Sequence, residues 1–217
     1  MNLNQYLAGF LTEPRKEKIA RVLAQRTRSL VAVVEDIYDP HNANAVIRSC
    51  DAFGIQELHV IENRNKFRVS ARVASGSDRW VELHRYSTAE ECITKLKQRG
   101  YQIVATTPHG NTVSLSDFVP KQPTAILFGS EHLGLSETAL ASADLRLKIP
   151  MVGFCESLNL SVSAATTLYT LNEKMIQQKL RKPLSEPDAQ EVELKWLRAS
   201  LKRAAQLERG FHPQNHG

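Results

Sequence analysis

Short unbroken apolar runs alternate along this chain with stretches in which apolar residues recur every three or four positions. The runs at residues 30–37 (LVAVVEDI), 57–61 (ELHVI), 102–106, 123–128 (PTAILF) and 145–149 read as strands. Between them the spacing predicts helices. In DPHNANAVIRSCDAFG, Pro40 and Asn42 open one that carries Ala45, Val46 and Ile47 and stops at Gly54. Others cover residues 89–99, ended by Gly100, a short stretch capped by Ser136, and a long stretch over residues 159–178. This alternation predicts an α/β fold with a mostly parallel sheet flanked by helices.

Outside that alternating region the pattern changes. Ile19, Val22 and Leu23 recur at helical spacing among charges in residues 14–28, which predicts an amphipathic helix lying on the body. Residues 181–187 (RKPLSEP) have the proline and polar density of a linker. Beyond them Val192, Leu194, Trp196, Leu197, Leu201 and Ala205 support one final helix, and the end GFHPQNHG reads as frayed. The expected division is an extension over residues 1–29, a main domain over 30–178, and a linker with a helix over 179–217.

Charge adds a partner class. Over 217 residues, 28 Lys and Arg against 23 Asp and Glu give a formal charge of +5, which favours polyanions over a neutral ligand surface. The excess is concentrated at the ends: Arg15, Lys16, Lys18, Arg21, Arg26 and Arg28 before the first strand, and Lys195, Arg198, Lys202, Arg203 and Arg209 in the last helix. A solvated surface is the alternative reading of the same charges. The start of the chain has its basic cluster after its apolar residues and no small-residue cleavage site, so it does not read as a signal peptide, and no apolar run is long enough for a membrane span. The expectation is a soluble cytoplasmic protein. Cys50, Cys92 and Cys155 are widely separated and odd in number, which argues against a disulfide framework or a CxxC metal site. The seven histidines are scattered without ligand spacing, so no metal is expected.

In a parallel sheet, ligands sit beyond the carboxyl ends of the strands, and three loops there have unusual composition. In the first, Asn42 and Arg48 border the mouth of the loop; alone, they read equally as a helix cap and a surface cation. The second, Gly129 to Ser136 (GSEHLGLS), has two glycines that let backbone approach a ligand, although Glu131 by itself reads as a solvated carboxylate. It is neither a GxxxxGK[ST] phosphate loop nor a GxGxxG dinucleotide turn, which counts against a nucleotide hydrolase or an ordinary dinucleotide enzyme. The third, IPMVGFCESLNL, runs into the small residues Ser161, Val162, Ser163, Ala164 and Ala165, where Ser157 and Asn159 are candidate caps facing a ligand and Met151 reads as core.

Taken together, HNANAVIRSCDAFG, ILFGSEHLGLS and IPMVGFCESLNLSVSAA resemble motifs 1, 2 and 3 of the SpoU/TrmH methyltransferase family, in order, over about residues 30–174. The intervening SGSDRWVEL resembles the TrmH branch, and the basic terminal helices do so less specifically. The resemblance implies the SPOUT fold, with a C-terminal deep trefoil knot, and a homodimer with its sites near the interface. It further implies transfer of a methyl group from S-adenosylmethionine to a ribose 2'-hydroxyl of tRNA, at guanosine 18 of the D-loop. Methylation of a wobble nucleotide or of ribosomal RNA, or a non-catalytic RNA-binding member of the fold, are the alternatives.

Residue by residue, the family's cofactor contacts fall on Thr106, Gly129, Ile149 and Leu158, with Leu127, Met151 and Gly134 as further candidates. Its catalytic cluster falls on Asn42, Arg48, Glu131, Ser157 and Asn159, with Arg48 either a base assisted by the substrate phosphate or a cationic clamp on that phosphate. Arg15, Lys16, Arg21, Arg198, Lys202 and Arg203 are the residues expected on the tRNA backbone. Glu156 departs from the usual glutamine before the serine, and Cys155 has no assigned role.

Overall fold

A computed structural model describes residues 2–67 and 76–211; Ser75 of SGSDRWVEL and the last six residues of the tail lie outside them. The chain divides into two compact units, Thr27–Lys182 and a unit made of Met1–Arg26 with Pro183–Gly217. The two terminal extensions thus form one unit together.

In chain order the elements are α1 (Leu3–Ala8), α2 (Glu13–Leu23), β1 (Leu30–Glu35), α3 (Pro40–Ala52), β2 (Glu57–Ile61), β3 (Glu82–Tyr86), α4 (Ala89–Gln98), β4 (Gln102–Thr106), β5 (Val113–Ser114), β6 (Thr124–Phe128), α5 (Glu137–Ser142), β7 (Leu145–Lys148), α6 (Leu160–Gln177), α7 (Glu186–Ser200) and α8 (Ala204–Arg209). The strands form a seven-stranded sheet in the order β3-β2-β1-β6-β4-β7-β5, with all the pairings parallel. Every residue of β1, β2 and β6 is buried. Strands covered on both faces can be apolar at every position, which is why LVAVVE and TAILF show no alternation.

Two apolar layers cover the sheet. One joins Val34, Val60, Val104 and Ile126 to Val46, Ile47 and Cys50 of α3 and to Leu168 and Leu171 of α6. The other joins Val31, Val33, Ile103 and Leu127 to Cys92, Ile93 and Leu96 of α4 and to Ala139 of α5. Burial pushes the Cys92 thiol up to about 12, as expected for a thiol that serves as a small apolar filler. Where β1 meets β6 the strand order reverses direction, and in such sheets ligands bind beyond the carboxyl ends of the strands.

Polar links hold the loops to this frame. Asp36, left-handed at φ 51°, accepts from the backbone N–H groups of Arg64 and Asn65 at 2.7 and 3.1 Å. The buried Glu35 carboxylate accepts from the Ser136 N–H at 2.8 Å, fastening the start of α5 to the end of β1. Lys174 of α6 donates to the carbonyls of Leu115, Ser116 and Phe118. At the opposite side of the sheet, Glu57 is buried among Arg28, Arg99 and His59, at 2.6, 2.9 and 3.0 Å. Burial alone raises a carboxyl pKa, but the hydrogen bonds of His59 and Arg99 and the Arg99 charge outweigh it and hold Glu57 well below the usual carboxylate range.

The terminal unit departs from the sequence pattern in three places. The stretch read as linker already begins α7, since Ser185 caps it and Pro187 sits in its first turn. The final helix is two helices, because Leu201 is extended (φ −106°, ψ 122°) and separates α7 from α8. Arg26 is fully buried with its guanidinium 5.1 Å from the Trp196 ring centre, so that cation is spent inside the unit. Here α1 and α2 pack against α7, with Leu7, Ile19, Val192, Trp196 and Leu197 buried. No helix of the described residues is long and apolar enough to cross a membrane.

Candidate functional site

Helix α3 begins at Pro40, where the sequence places its start. Asp39 is the cap, accepting from the His41 N–H at 2.8 Å, and Pro40 supplies the first helical position. Asn42 is thereby placed within the first turn, 7% exposed, with its amide free to face across the fold. Its Nδ2 donates to Glu131 Oε1 at 2.7 Å, and its Oδ1 accepts from Asn159 Nδ2 at 3.1 Å. Asn159 in turn caps α6, its Oδ1 accepting from the N–H groups of Ser161 and Val162 and from the Ser161 hydroxyl. The other Glu131 oxygen accepts from the Tyr38 N–H at 3.3 Å. One hydrogen-bonded chain therefore ties the loop after β1, the loop after β6 and the start of α6.

Beside this chain lies a cavity of about 360 Å³, within the range of roughly 300–1,000 Å³ typical of ligand pockets. Its walls include Thr106 after β4, Gly129, Glu131 and Gly134 after β6, and Ser157 and Leu158 before α6. A smaller cavity of about 100 Å³ shares Thr106, Ser157 and Leu158 and adds Ile149, Met151 and Glu156. Both open where a parallel sheet binds ligands, beyond the carboxyl ends of β4, β6 and β7.

The turn after β6 is built around a backbone contact. Ser130 and Gly134 exchange two backbone hydrogen bonds of 3.1 and 3.0 Å, and Gly134 has a left-handed φ of 67°. A Cβ on Gly129 would lie 2.0 Å from the Gly134 carbonyl carbon and 2.1 Å from the Leu135 nitrogen. The glycine is a steric necessity of this turn.

Of the residues singled out from sequence, the structure brings Asn42, Glu131 and Asn159 into one bonded group and sets Ser157, Thr106, Gly129, Gly134, Ile149, Leu158 and Met151 around the two cavities. Three placements differ from expectation. Leu127 is fully buried in the sheet and lines neither cavity; its carbonyl accepts from the Thr106 hydroxyl at 2.8 Å. Met151 is not in the core, as its motif alone suggested, but 36% exposed at the cavity edge, where the resemblance placed it as a cofactor contact. Arg48 is exposed, and among the described residues it neither lines these cavities nor bonds to the Asn42 group.

Sequence reasoning missed Tyr38, Thr107, Pro108 and Ser163. Thr107 and Pro108 directly follow β4, so their position at a strand's carboxyl end was the available signal.

Asn42→Ala leaves the inner Glu131 oxygen and the Asn159 amide without their partner. The expected result is a loss of about 1–2 kcal/mol in urea unfolding with the helix content unchanged. A variant as stable as the parent would mean that solvent replaces both bonds without cost.

Comparison with known proteins agrees with this geometry. The model of the SpoU rRNA Methylase family matches residues 29–169. A tRNA (guanosine(18)-2'-O)-methyltransferase of Borreliella burgdorferi is 38% identical over 196 residues, 90% of each chain. Among solved structures, the A. aeolicus TrmH/SpoU tRNA modifying enzyme superposes with a TM-score of 0.80 at 29% identity, covering 88% of this chain and 98% of that one. The SpoU methyltransferase AviRb from Streptomyces viridochromogenes, in complex with the cofactor AdoMet, gives 0.64 at 28% identity over 71% of this chain and 64% of its own. With the family's region spanning the whole sheet, both cavities and α3, this chain belongs to the SpoU methylase family.

Proposed function

We propose that this protein transfers a methyl group from S-adenosylmethionine to the ribose 2'-hydroxyl of guanosine 18 in the D-loop of tRNA. The observation that carries the reading is the cavity of about 360 Å³ flanked by the Asn42, Glu131 and Asn159 chain, in a protein whose relative over 90% of its length bears that activity in its name. A nucleoside cofactor fits the walls. Thr106, Gly129, Ile149 and Leu158 would hold it, the glycine turn offering backbone groups and Leu158 and Ile149 apolar contact. S-adenosylmethionine supplies a methyl group already activated on sulfonium.

The protein's own residues then have to position the acceptor hydroxyl and help it lose a proton. Asn42, Glu131 and Asn159 fix the wall against which the ribose rests, and Ser157 faces the same space. Arg48 is solvated, and guanidinium groups keep their proton in proteins, which favours the clamp over the base. As a cation it binds the phosphate next to the target ribose and stabilises the alkoxide as it forms.

The family resemblance also supports a knotted chain, in which the segment after motif 2 (ILFGSEHLGLS) threads a loop, and a homodimer. Val162, Tyr169 and Ile176 lie seven residues apart on α6 and are 48, 53 and 48% exposed, an apolar stripe suited to a second copy. The tRNA is held partly by the terminal unit. Lys202 and Arg203 are exposed there, whereas Arg198 is engaged by Glu208 at 2.6 Å, Arg15 bonds Ser200 and Lys16 pairs with Glu13. Replacing Lys202 and Arg203 by glutamine is expected to weaken tRNA binding and to flatten the slope of log affinity against log salt by about 1 for each phosphate no longer neutralised. An unchanged slope assigns those cations to bulk solvent.

The decisive experiment is incubation with labelled cofactor and unmodified total tRNA, followed by mapping of the alkali-resistant linkage. A 2'-O-methyl at guanosine 18 is the expected result. Label at the wobble position redirects the substrate, and absence of both label and cofactor binding by calorimetry removes the enzyme reading.

A further inference from the structure

Away from the two cavities, at the amino-terminal part of β2 and on the edge strand β3, Glu57, His59 and His84 gather on one face of the sheet. The cause is register. Residues 57 and 59 alternate to the same face of β2, and His84 is the direct partner of His59 across the parallel pair. One ligand atom each of Glu57, His59 and His84 lies within 4.8 Å of the other two.

We infer that Glu57, His59 and His84 form a binding site for one divalent transition metal of the zinc type, which clips the edge strand β3 to β2. Glu57 Oε2 stands 3.0 Å from His59 Nε2 and 3.9 Å from His84 Nε2. Tetrahedral zinc with bonds of about 2.0–2.1 Å sets its donors roughly 3.3 Å apart, so to complete the three-ligand side of a tetrahedron the partly exposed His84 ring turns out of its stack on His59, where the ring centres are 4.8 Å apart and the planes 19° from parallel. Two nitrogens and one carboxylate oxygen are a zinc-type donor set, and the fourth position falls to water.

Two further observations support the site. The His84 Nε2 atom is sealed from solvent and makes no hydrogen bond, an expensive state for a ring nitrogen unless something occupies it. The groups behind the donors are also arranged as supports. His59 Nδ1 lies 3.0 Å from the Tyr86 hydroxyl, which fixes the ring with Nε2 toward Glu57. Glu57 Oε1 is occupied by Arg28 and Arg99, leaving Oε2 for the ion, and Arg28 is shared with Glu82 at 2.6 Å. Such outer partners are what hold metal ligands in place. Without metal the same contacts serve as a plain charge network, and the test separates the two.

Untagged protein, stripped with a chelator, is titrated with Zn2+ by calorimetry and with Co2+ by visible absorption at neutral pH. One equivalent of Zn2+, a tetrahedral Co2+ spectrum and a metal-dependent rise in the melting midpoint are expected. His84→Ala, at a partly exposed position, should weaken the binding by on the order of 100-fold or more while melting like the stripped parent. Tyr86→Phe, which touches no metal, should weaken it by roughly 10–100-fold. No binding by the parent overturns the site. So does binding that survives His84→Ala, which would point to the histidines of the tail.

Discussion

Arg48→Ala is expected to lose methyl transfer by roughly 1,000-fold, the scale of removing one group that stabilises charge in a transition state, while still binding S-adenosylmethionine like the parent. The separation follows from where the side chain stands. Arg48 is exposed on α3, outside both cavities and outside the bonded group of Asn42, Glu131 and Asn159, so truncation leaves the walls intact. On the proposed clamp role, its contacts come from the substrate phosphate. Turnover with saturating cofactor and calorimetry with cofactor alone read the two effects independently. Arg48→Lys keeps the charge but not the two-pronged geometry, and should retain a part of the activity. Parent-like turnover of Arg48→Ala would remove the residue from the reaction, whatever the fate of the cavity.

Gly129→Ala should fail at the opposite step. A methyl group 2.0 and 2.1 Å from backbone atoms of Gly134 and Leu135 has no side chain to push aside, so the whole turn has to shift. The expected cost is about 3 kcal/mol in unfolding, at the upper end for overpacking, with cofactor affinity reduced by at least about 100-fold. Near-parent binding would show that the turn opens freely and does not shape the pocket. Gly134 provides a milder comparison. Its added Cβ meets nothing within 4 Å, and the strain comes from φ 67° alone.

The central strands were legible because burial on both faces leaves an unbroken apolar run: LVAVVE, ELHVI and TAILF are β1, β2 and β6. The outer strands β3 and β5 were not. ELHRY sits at the sheet edge with polar side chains and looks like a loop, and Val113–Ser114 is too short to carry a period. Strand order also left no trace in the pattern, because the insertion of β6 between β1 and β4 is a property of connections.

The site was legible in a different way. Residues 42, 131 and 159 are far apart in sequence, and only the resemblance grouped them before the hydrogen bonds did. Hidden from both readings was the fate of the charges and histidines. Arg26 and Arg28 looked like surface cations but are used by Trp196, Glu57 and Glu82, and His59 and His84 looked scattered but stack at 4.8 Å. Long-range pairing of polar groups has no periodicity by which to announce itself.

The tether between Glu35 and the Ser136 N–H also sets how the glycine turn can move. With α5 moored at that point and Gly129 wedged at the other, the apex around His132 and Leu133 is the exposed part of the turn. Replacements or insertions there should be tolerated by the scaffold and felt only in how fast ligands come and go.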